Sequence, residues 1–242
     1  MVKGVDSREQ LNKDAIVIKN KKFLKLIYED FYKYLTPKDV PTGLIIELGS
    51  GAGFIKEIIP NTITSDIVEG KGVDKVFSAE KIPFKENSVS AFLMIDVLHH
   101  IKDPEKALRE MQRCLKVGGK IIMIEPYNTY WGRFIYKHIH REHFDPNSSW
   151  LVSGQGRMSD SNTALPWIIF TRDKKTFENK FPRLKILRIQ PFMPFTYLFS
   201  GGLSKYQFLP TFAYPLIKIV EKMISPINHL VGMFAIIELK KN

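Results

Sequence analysis

The chain is poor in cysteine, in long apolar runs and in negative charge, and each shortage narrows the classes of protein it can represent. Its 242 residues include one cysteine, Cys114. That count excludes an internal disulfide and a cysteine-based zinc cluster, and it favours a reducing compartment. No stretch reaches the roughly 18 uninterrupted apolar residues that predict a membrane span. The polar N-terminus lacks the apolar core of a signal peptide, so we expect a cytoplasmic protein.

The charge balance predicts a surface that attracts anions. Lysine and arginine total 36 against 25 aspartate and glutamate, which gives a net charge of +11. Nucleic acid, anionic lipid and phosphorylated metabolites all suit such a surface, and charge alone does not choose among them. With 44% hydrophobic and 25% charged residues, the composition is that of an ordinary globular domain.

The hydrophobic pattern alternates between short apolar runs and amphipathic segments. Helices are predicted at 21–34, from a cap at Asp103 to a stop at Gly118-Gly119, at 176–181 and at 212–224. Strands are predicted at 44–46, 62–67, 73–77, 91–98, 120–124, 184–190 and 233–240. This alternation predicts an α/β fold, with a mostly parallel sheet and helices on both faces. Residues 127–170 interrupt the pattern and are typical of a lid or mobile loop.

The strongest motif is the segment 45–54, IIELGSGAGF. A buried strand ends near Glu47 and enters a turn with glycine at Gly49, Gly51 and Gly53. Glycine allows positive φ and lets a ligand approach the main chain. In doubly wound sheets, ligands bind outside the carboxyl ends of the strands, where the strand order reverses.

The nature of the ligand follows from what surrounds the glycines. The fingerprint of nicotinamide dinucleotide sites would require a third glycine at Phe54. Glu47 is unfavourable beside a pyrophosphate but suits a ligand that carries an ammonium group. Asp66 ends the second strand, about 20 residues downstream, where a carboxylate holds ribose hydroxyls in nucleotide sites.

From Leu44 to Pro126 the chain resembles the class I methyltransferases, specifically the methyltransferase type 11 family. Five motifs in the correct order carry the resemblance: IIELGSGAG, SDI, SAEKIPF, LMIDVLHHI and DPEKALREMQRCLKVGGKIIMIEP. The resemblance implies a Rossmann-like, doubly wound sheet of seven strands whose C-terminal strand is antiparallel. It also implies S-adenosylmethionine as cofactor, leaving as S-adenosylhomocysteine. The implied cofactor-binding residues are Glu47, Gly49, Gly51, Gly53, Asp66, Ala79, Glu80 and Asp96.

Within that family pattern, Glu47 and the Gly49–Gly53 turn would hold the methionine portion, and Asp66 the ribose. Ala79 and Glu80 would lie beside the adenine, and Asp96 near the sulfonium. Serine stands at position 78, where the family often has aspartate, and this difference bears on the adenine contact. We expect one domain over residues 1–242: a cofactor core at about 40–126, an acceptor insertion at about 127–170, and an acceptor-side region at about 171–242.

Methyl transfer requires alignment of the acceptor and, for a hydroxyl, a base. The insertion is dense in titratable side chains: His138, His140, Glu142, His143 and Asp145. We expect His140 or His143 to be the base, with His100 as a third candidate and His99 bonded to backbone. These titratable residues are equally compatible with a basic lid that takes no part in proton transfer. A metal site at the H-x-H-x-x-H pattern lacks cysteines and a carboxylate pattern, so we expect no metal.

The acceptor is the open question of the sequence. Aromatic and apolar residues between 192 and 206 favour a greasy pocket for a small-molecule or lipid- or glycan-linked acceptor. The same aromatics, with lysines around them, predict peripheral contact with a membrane. An RNA methyltransferase is the alternative that the charge supports, although no RNA-binding module is visible and the fourth strand ends IDVL rather than in an Asp/Asn-Pro-Pro-aromatic motif. A non-catalytic cofactor-binding protein is the third interpretation.

Overall fold

One seven-stranded sheet forms the centre of the protein. The computed structural model describes residues 8–140, 142–152 and 161–242. The strands are β1 (Leu44–Leu48), β2 (Thr62–Asp66), β3 (Lys75–Val76), β4 (Val89–Ile95), β5 (Leu115–Pro126), β6 (Leu184–Phe192) and β7 (Phe234–Lys241). Their order is β3-β2-β1-β4-β5-β7-β6. β7 is antiparallel to both of its neighbours and the other pairings are parallel, which confirms the predicted fold class.

Helices cover both faces of this sheet. They are α1 (Arg8–Asn20), α2 (Lys22–Leu35), α3 (Pro104–Cys114), α4 (Tyr130–His138), α5 (Leu165–Trp167), α6 (Lys174–Lys180), α7 (Thr196–Ser200), α8 (Tyr214–Met223) and α9 (Asn228–Val231). Shorter 3-10 turns lie at Ile55–Glu57, Leu98–His100, Thr211–Ala213 and Ser225–Ile227, and a π-helical turn at Ile168–Arg172. Among the described residues, no helix has both the length and the apolar character needed to cross a membrane.

Alternate residues of the central strands separate two apolar cores. Ala91 and Leu93 of β4 face a core that includes side chains of α2, α4 and α8. Phe92 and Met94 face a second core, with side chains of α3, α6 and the π-helical turn. This alternation is the period-2 geometry of a strand buried on both sides. The sheet is thus held from both faces, and its strand ends are fixed in position.

The glycine-rich turn is followed by a shorter element than the alternation predicts. Residues 49–88, all of which the structure describes, contain the 3-10 turn Ile55–Glu57 and no α-helix. Pro60 ends any helix that starts after the turn. The face is covered instead by α2, where Phe23 and Ile27 are fully buried.

Within the described ranges, five helices, α1, α4, α5, α7 and α9, lie where the sequence predicted none, and α1 and α4 are the longest of them. In α1 the buried residues are Leu11 and Ile18, a spacing too sparse to show helical periodicity. α4 lies inside the segment predicted to be irregular, and Thr129 caps it by accepting a hydrogen bond from the backbone N–H of Gly132 at 3.0 Å. Arg141 and residues 153–160 of the predicted insertion lie outside the described residues.

The predicted stop of α3 at Gly118-Gly119 is wrong. The helix begins as expected, with Asp103 accepting from the backbone N–H of Lys106 at 2.9 Å, but it ends at Cys114. Leu115 is already extended and pairs with Val89 of β4. Both glycines therefore lie inside β5, where the pairing with β4 shifts register.

Candidate active site

A cavity of about 760 Å³ opens at the carboxyl ends of β1 and β4. These two strands are neighbours, but the chain leaves β1 toward β2 on one side and β4 toward β5 on the other. This reversal of strand order is where doubly wound sheets bind ligands. The turns after β1 and β4, helix α1, the end of α4 and the segment 197–209 contribute the walls.

Glu47 contributes a buried carboxylate to the cavity lining. It is 2% exposed, and no residue within the described ranges hydrogen-bonds to its Oε2. Burial raises the pKa of Glu47 to about 8, and the charge of Asp66 adds to that effect. A carboxylate oxygen left without a partner in a buried site is costly unless a ligand completes it. A cationic group in the cavity, such as an ammonium, meets that requirement.

The three glycines of the turn have different structural roles. A Cβ at Gly49 would lie 2.6 Å from Cγ2 of Val97, and one at Gly53 would overlap the hydroxyl of Tyr32. Both glycines are therefore required by packing within the protein. Gly51, with φ of 50°, differs: a Cβ there would have no neighbour closer than 3.8 Å. Because Gly51 also lines the cavity, its missing side chain leaves room for a ligand.

Three other residues predicted to bind the cofactor lie beside the cavity rather than in its lining. Asp66 is buried, and its Oδ2 accepts the backbone N–H of Gly51 at 2.9 Å. Oε1 of Glu80 accepts the backbone N–H of Asp103 at 3.3 Å, while Ala79 packs against the apolar core. The ribose and adenine contacts of these residues stay predictions. In the structure, the carboxylate of Asp66 holds the glycine turn in place through its hydrogen bond with Gly51.

Asp96, by contrast, lines the cavity where β4 ends. Its φ is 61°, in the left-handed region that aspartate tolerates better than most residues. Its backbone N–H donates to the carbonyl of Ile124 at 2.8 Å, which holds this conformation. Backbone strain of this kind collects at functional sites, and here it turns the chain away from the sheet at the cavity floor.

His99 is fully buried and lies between two carboxylates. Its Nδ1 is 2.8 Å from Oε2 of Glu125, and its Nε2 is 3.2 Å from Oε2 of Glu142. Burial alone would lower the pKa of His99, but the hydrogen bonds to Glu125 and Glu142 outweigh it and raise the pKa well above 6.5. His99 is therefore an imidazolium at neutral pH. The expectation that its side chain bonds to backbone is wrong, because carboxylates from two other segments reach it.

Glu142 connects this buried pair to the cavity. Burial alone would raise its pKa, but the hydrogen bond from His99 and the charges of His99, His100 and His140 lower the pKa to about 2. Oε1 of Glu142 lies 3.8 Å from Nε2 of His100, and both residues line the cavity. Glu125, His99, Glu142 and His100 thus form a chain in which carboxyl groups alternate with imidazoles, which we call the histidine–carboxylate chain.

The two histidines predicted as leading base candidates occupy different places. His140 lines the cavity, and its Nδ1 accepts the backbone N–H of Glu142 at 3.3 Å. Desolvation by the surrounding protein lowers the pKa of His140, although much of the ring surface is open to solvent. His143 is exposed and does not line the cavity. The backbone carbonyl of His143 accepts hydrogen bonds from the N–H and the hydroxyl of Thr163.

Two groups of described side chains have the composition of a metal site. One joins His99, His100 and Glu142, and the other joins Asp96, His99 and Glu125, with potential ligand atoms within 4.8 Å of one another. His99 belongs to both, and each of its nitrogens faces a carboxylate. Both ring nitrogens of His99 thus already have carboxylate partners within the cluster.

The remaining wall of the cavity is largely apolar. Helix α1 lays Leu11 and Ile18 along it, and the opposite side comprises Ile135, Ile139, Leu198, Phe199, Leu203, Leu209 and Met233. The phenol of Tyr197 also lines the cavity, and burial raises its pKa well above 10, which keeps it protonated. Such walls, with a few convergent polar groups, are typical of small-molecule sites.

The sequence analysis missed Glu125 and the pairing of His99. One signal for them was present. Glu125 ends a predicted parallel strand, and the carboxyl ends of parallel strands meet at the same edge of a sheet as Glu47 and Asp96. The position of Glu142 carried no such signal, because it follows α4 in a segment without periodicity.

Part of the chain is similar in sequence to known methyltransferases. Residues 46–123 match the family profile Methyltransf_11, a methyltransferase domain. The chain is 29% identical over 102 residues to the uncharacterized methyltransferase YcgJ of Bacillus subtilis, and 31% identical over 107 residues to the uncharacterized protein MJ1123 of Methanocaldococcus jannaschii. It is 27% identical over 107 residues to 2-methyl-6-phytyl-1,4-hydroquinone methyltransferase of Spinacia oleracea.

These matches are partial on both sides. They cover 34%, 41% and 36% of this chain, and 40%, 52% and 31% of the three relatives. The chain thus spans about a third to a half of the length of the curated relatives it matches.

Solved structures share the fold over most of the chain. A methyltransferase of Thermotoga maritima, described as a possible histamine N-methyltransferase, has a TM-score of 0.54 and 18% identity, and the match covers 93% of this chain and 92% of that one. Geranyl diphosphate C-methyltransferase of Streptomyces coelicolor, in complex with S-adenosylhomocysteine, has a TM-score of 0.51 and 13% identity, with coverage of 95% and 83%.

The chain has the Rossmann-like fold of these solved methyltransferases. Within that fold, residues 46–123 match the Methyltransf_11 methyltransferase domain, in agreement with the five motifs.

Proposed function

We propose that this protein transfers a methyl group from S-adenosylmethionine to a small, largely apolar acceptor that bears a protic group. The observation that carries the proposal is one cavity with two unlike ends. At one end Glu47 offers a buried carboxylate oxygen that lacks a hydrogen-bond partner within the described ranges. At the other end apolar side chains surround a cluster of histidines and a carboxylate.

The residues present suit the cofactor. Its methionine portion carries an ammonium, which would complete the hydrogen bonding of Glu47 and favour the ionised carboxylate. The open side of Gly51 leaves the backbone accessible to the same portion. When bound, the cofactor supplies an already activated methyl group. The protein's own task is then to hold the acceptor in line and to exclude water.

The histidine–carboxylate chain is suited to removing a proton from the acceptor. We assign the role of general base to His100, because it lines the cavity and Glu142 lies beside its Nε2. Glu142 would orient the ring of His100 and stabilise the imidazolium that forms, while buried His99 and Glu125 hold Glu142 in place. His140, with its lowered pKa, would remain neutral beside the acceptor.

The relatives support an apolar acceptor class. One matched protein is a phytyl hydroquinone methyltransferase, and another is a ubiquinone/menaquinone C-methyltransferase from Hahella chejuensis, 40% identical over 48 residues. The apolar walls of the cavity agree with an acceptor of that general chemistry. They favour it over an RNA base, whose recognition relies on stacking aromatics and a basic groove.

The first test is a calorimetric titration of the purified chain with S-adenosylhomocysteine and, separately, with NAD. We expect binding of the sulfur ligand alone. Binding of NAD without S-adenosylhomocysteine would exclude the proposed function. Turnover is then measured as S-adenosylhomocysteine release, with small phenols and hydroquinones as acceptors.

The base assignment has its own variants. His100→Gln should lower turnover by about 10²–10⁴-fold and leave S-adenosylhomocysteine affinity unchanged. His143→Gln is the matched control, because that ring lies outside the cavity, and it should keep the wild-type rate. A full loss in His140→Gln with a normal rate in His100→Gln would move the role to His140.

A further inference from the structure

The outer face of α8 is apolar, although none of the described residues covers it. Leu216, Ile219, Val220 and Met223 are 64%, 57%, 43% and 76% exposed, and Phe212 in the preceding turn is 82% exposed. We call these five residues the α8 face. The helical members are spaced i, i+3, i+4 and i+7, so they form one stripe. A helix on the surface of a soluble domain normally turns polar residues outward at such positions.

The opposite side of the helix fixes its orientation. Tyr214 and Ile217 are buried, and the hydroxyl of Tyr214 donates to Oδ2 of Asp30 at 2.6 Å. Glu221 is 7% exposed, and its Oε1 accepts the backbone N–H groups of Phe195 at 3.0 Å and Thr196 at 2.8 Å. The helix cannot rotate its apolar stripe inward without breaking these contacts. These contacts therefore keep the α8 face exposed to solvent.

The segment that carries this face has few negative charges. Between residues 206 and 232 the sequence contains a single acidic residue, Glu221, and that carboxylate is turned inward. Asp30 of α2 also reaches the helix, where Tyr214 and Lys218 engage its carboxylate. Lys222 on the helix is exposed, and with a net charge of +11 the protein as a whole attracts a negative surface. An apolar stripe on a lysine-bearing helix whose one carboxylate is turned inward complements anionic headgroups over an acyl layer.

The exposed apolar surface is also continuous in sequence with the mouth of the cavity. Phe208 is 65% exposed and lines the cavity, and neighbouring Tyr206 is 91% exposed. Four residues after Phe208 the chain reaches Phe212 of the α8 face. Phe208 therefore connects the cavity lining to the turn that leads into α8.

We propose that the α8 face docks on the surface of an anionic lipid bilayer. A second copy of the chain is a poorer occupant, because two surfaces of a protein with net charge +11 repel each other. The proposal goes beyond the methyl-transfer function and is tested without turnover, so either can fail alone.

The experiment is co-sedimentation of the purified chain with vesicles of phosphatidylcholine mixed with phosphatidylserine, at low salt. We expect most of the protein in the pellet. We also expect less binding to phosphatidylcholine alone and a decline as salt rises, because screening weakens the attraction. Absence of binding to the anionic vesicles at low salt would overturn the proposal.

Variants assign the binding to the helix. Leu216→Ser with Met223→Ser should weaken partitioning by at least about tenfold, since two exposed apolar side chains are lost. Val117→Ser is the matched control: Val117 is 68% exposed and lies near the amino-terminal end of β5, whereas the cavity opens at the carboxyl ends of the strands. It should bind like the wild type. Circular dichroism must show that both variants fold.

Two outcomes would contradict the assignment. Wild-type partitioning of the Leu216→Ser, Met223→Ser variant would place the binding elsewhere on the surface. A concentration-dependent dimer in gel filtration, lost in the same variant, would show that a second copy covers the α8 face instead.

Discussion

The two ends of the cavity are built in opposite ways. At the proposed cofactor end, Glu47 and the three glycines lie within seven consecutive residues, and a strand and its turn place them all. At the proposed acceptor end, His100, Glu142, Tyr197 and Met233 come from four separate segments. The first end depends on local backbone geometry, and the second depends on how distant segments pack. A site of the first kind can be recognised from a short motif, while the second exists only once the chain has folded.

The largest expected effect is at the cofactor end. Gly51→Val places a side chain in the cavity and should weaken S-adenosylhomocysteine binding by on the order of a thousandfold, equivalent to about 4 kcal/mol. Calorimetry measures the affinity. Gly72→Val is the matched control, because Gly72 also has positive φ, at 91°, and open space around it, but lies outside the cavity lining. Equal losses of affinity in both variants would show that backbone strain, not the cavity, is responsible.

The second effect concerns the charge at the same end. Glu47→Gln keeps the shape of the side chain but removes the negative charge, so affinity should fall by about a hundredfold, or roughly 3 kcal/mol. Because the pKa of Glu47 is raised to about 8, the wild type should release a proton on binding at pH 7. Calorimetry in two buffers of different ionisation enthalpy measures that proton. The variant should release none.

The same group sets a pH dependence of stability in the ligand-free protein. The folded chain keeps the Glu47 proton up to pH about 8, whereas the unfolded chain loses it near 4.5. The free energy of unfolding should therefore fall as pH rises from about 4.5 to about 8. Urea unfolding across this range measures the slope. In Glu47→Gln the slope should be shallower, and an unchanged slope would show that Glu47 is not the titrating group.

The smallest effect is expected at the acceptor end, where Glu125→Gln tests the histidine–carboxylate chain. Glu125 accepts the backbone N–H groups of Val97 at 2.9 Å and Leu98 at 2.7 Å, as well as the bond from His99. Loss of its charge should lower the free energy of unfolding by about 2 kcal/mol. Cofactor affinity should be unchanged, because the two ends of the cavity are built separately. A large loss of affinity would break that distinction.

The stability lost in Glu125→Gln should also depend on pH. The pKa of His99 in the folded protein is raised above 6.5, so its stabilising contribution is complete below pH 6.5 and is lost as pH rises through the raised pKa. The difference in stability between wild type and Glu125→Gln should accordingly be largest below pH 6.5. A difference that does not shrink at high pH would argue against an imidazolium at His99.

The sequence predicted the parts of the molecule whose causes are local. The apolar run 44–46, the cap at Asp103 and the glycine turn each follow from a short pattern, and the mostly parallel sheet follows from the alternation of apolar runs and amphipathic segments. Helix α1 was missed because two buried residues suffice to hold it against the cavity. The pairing of His99 with Glu142 was missed because 43 residues separate them and no periodic pattern joins them.

The one cysteine gives this protein a built-in reporter of its own fluctuations. Cys114 is fully buried between α3 and β5, its Sγ lies 3.4 Å from the carbonyl of Phe84, and burial raises the pKa of the thiol. A thiol reagent can reach it only when that side of the sheet opens. When reclosing is faster than labelling, the labelling rate gives the free energy of the local opening around Cys114. The measurement needs no engineered label.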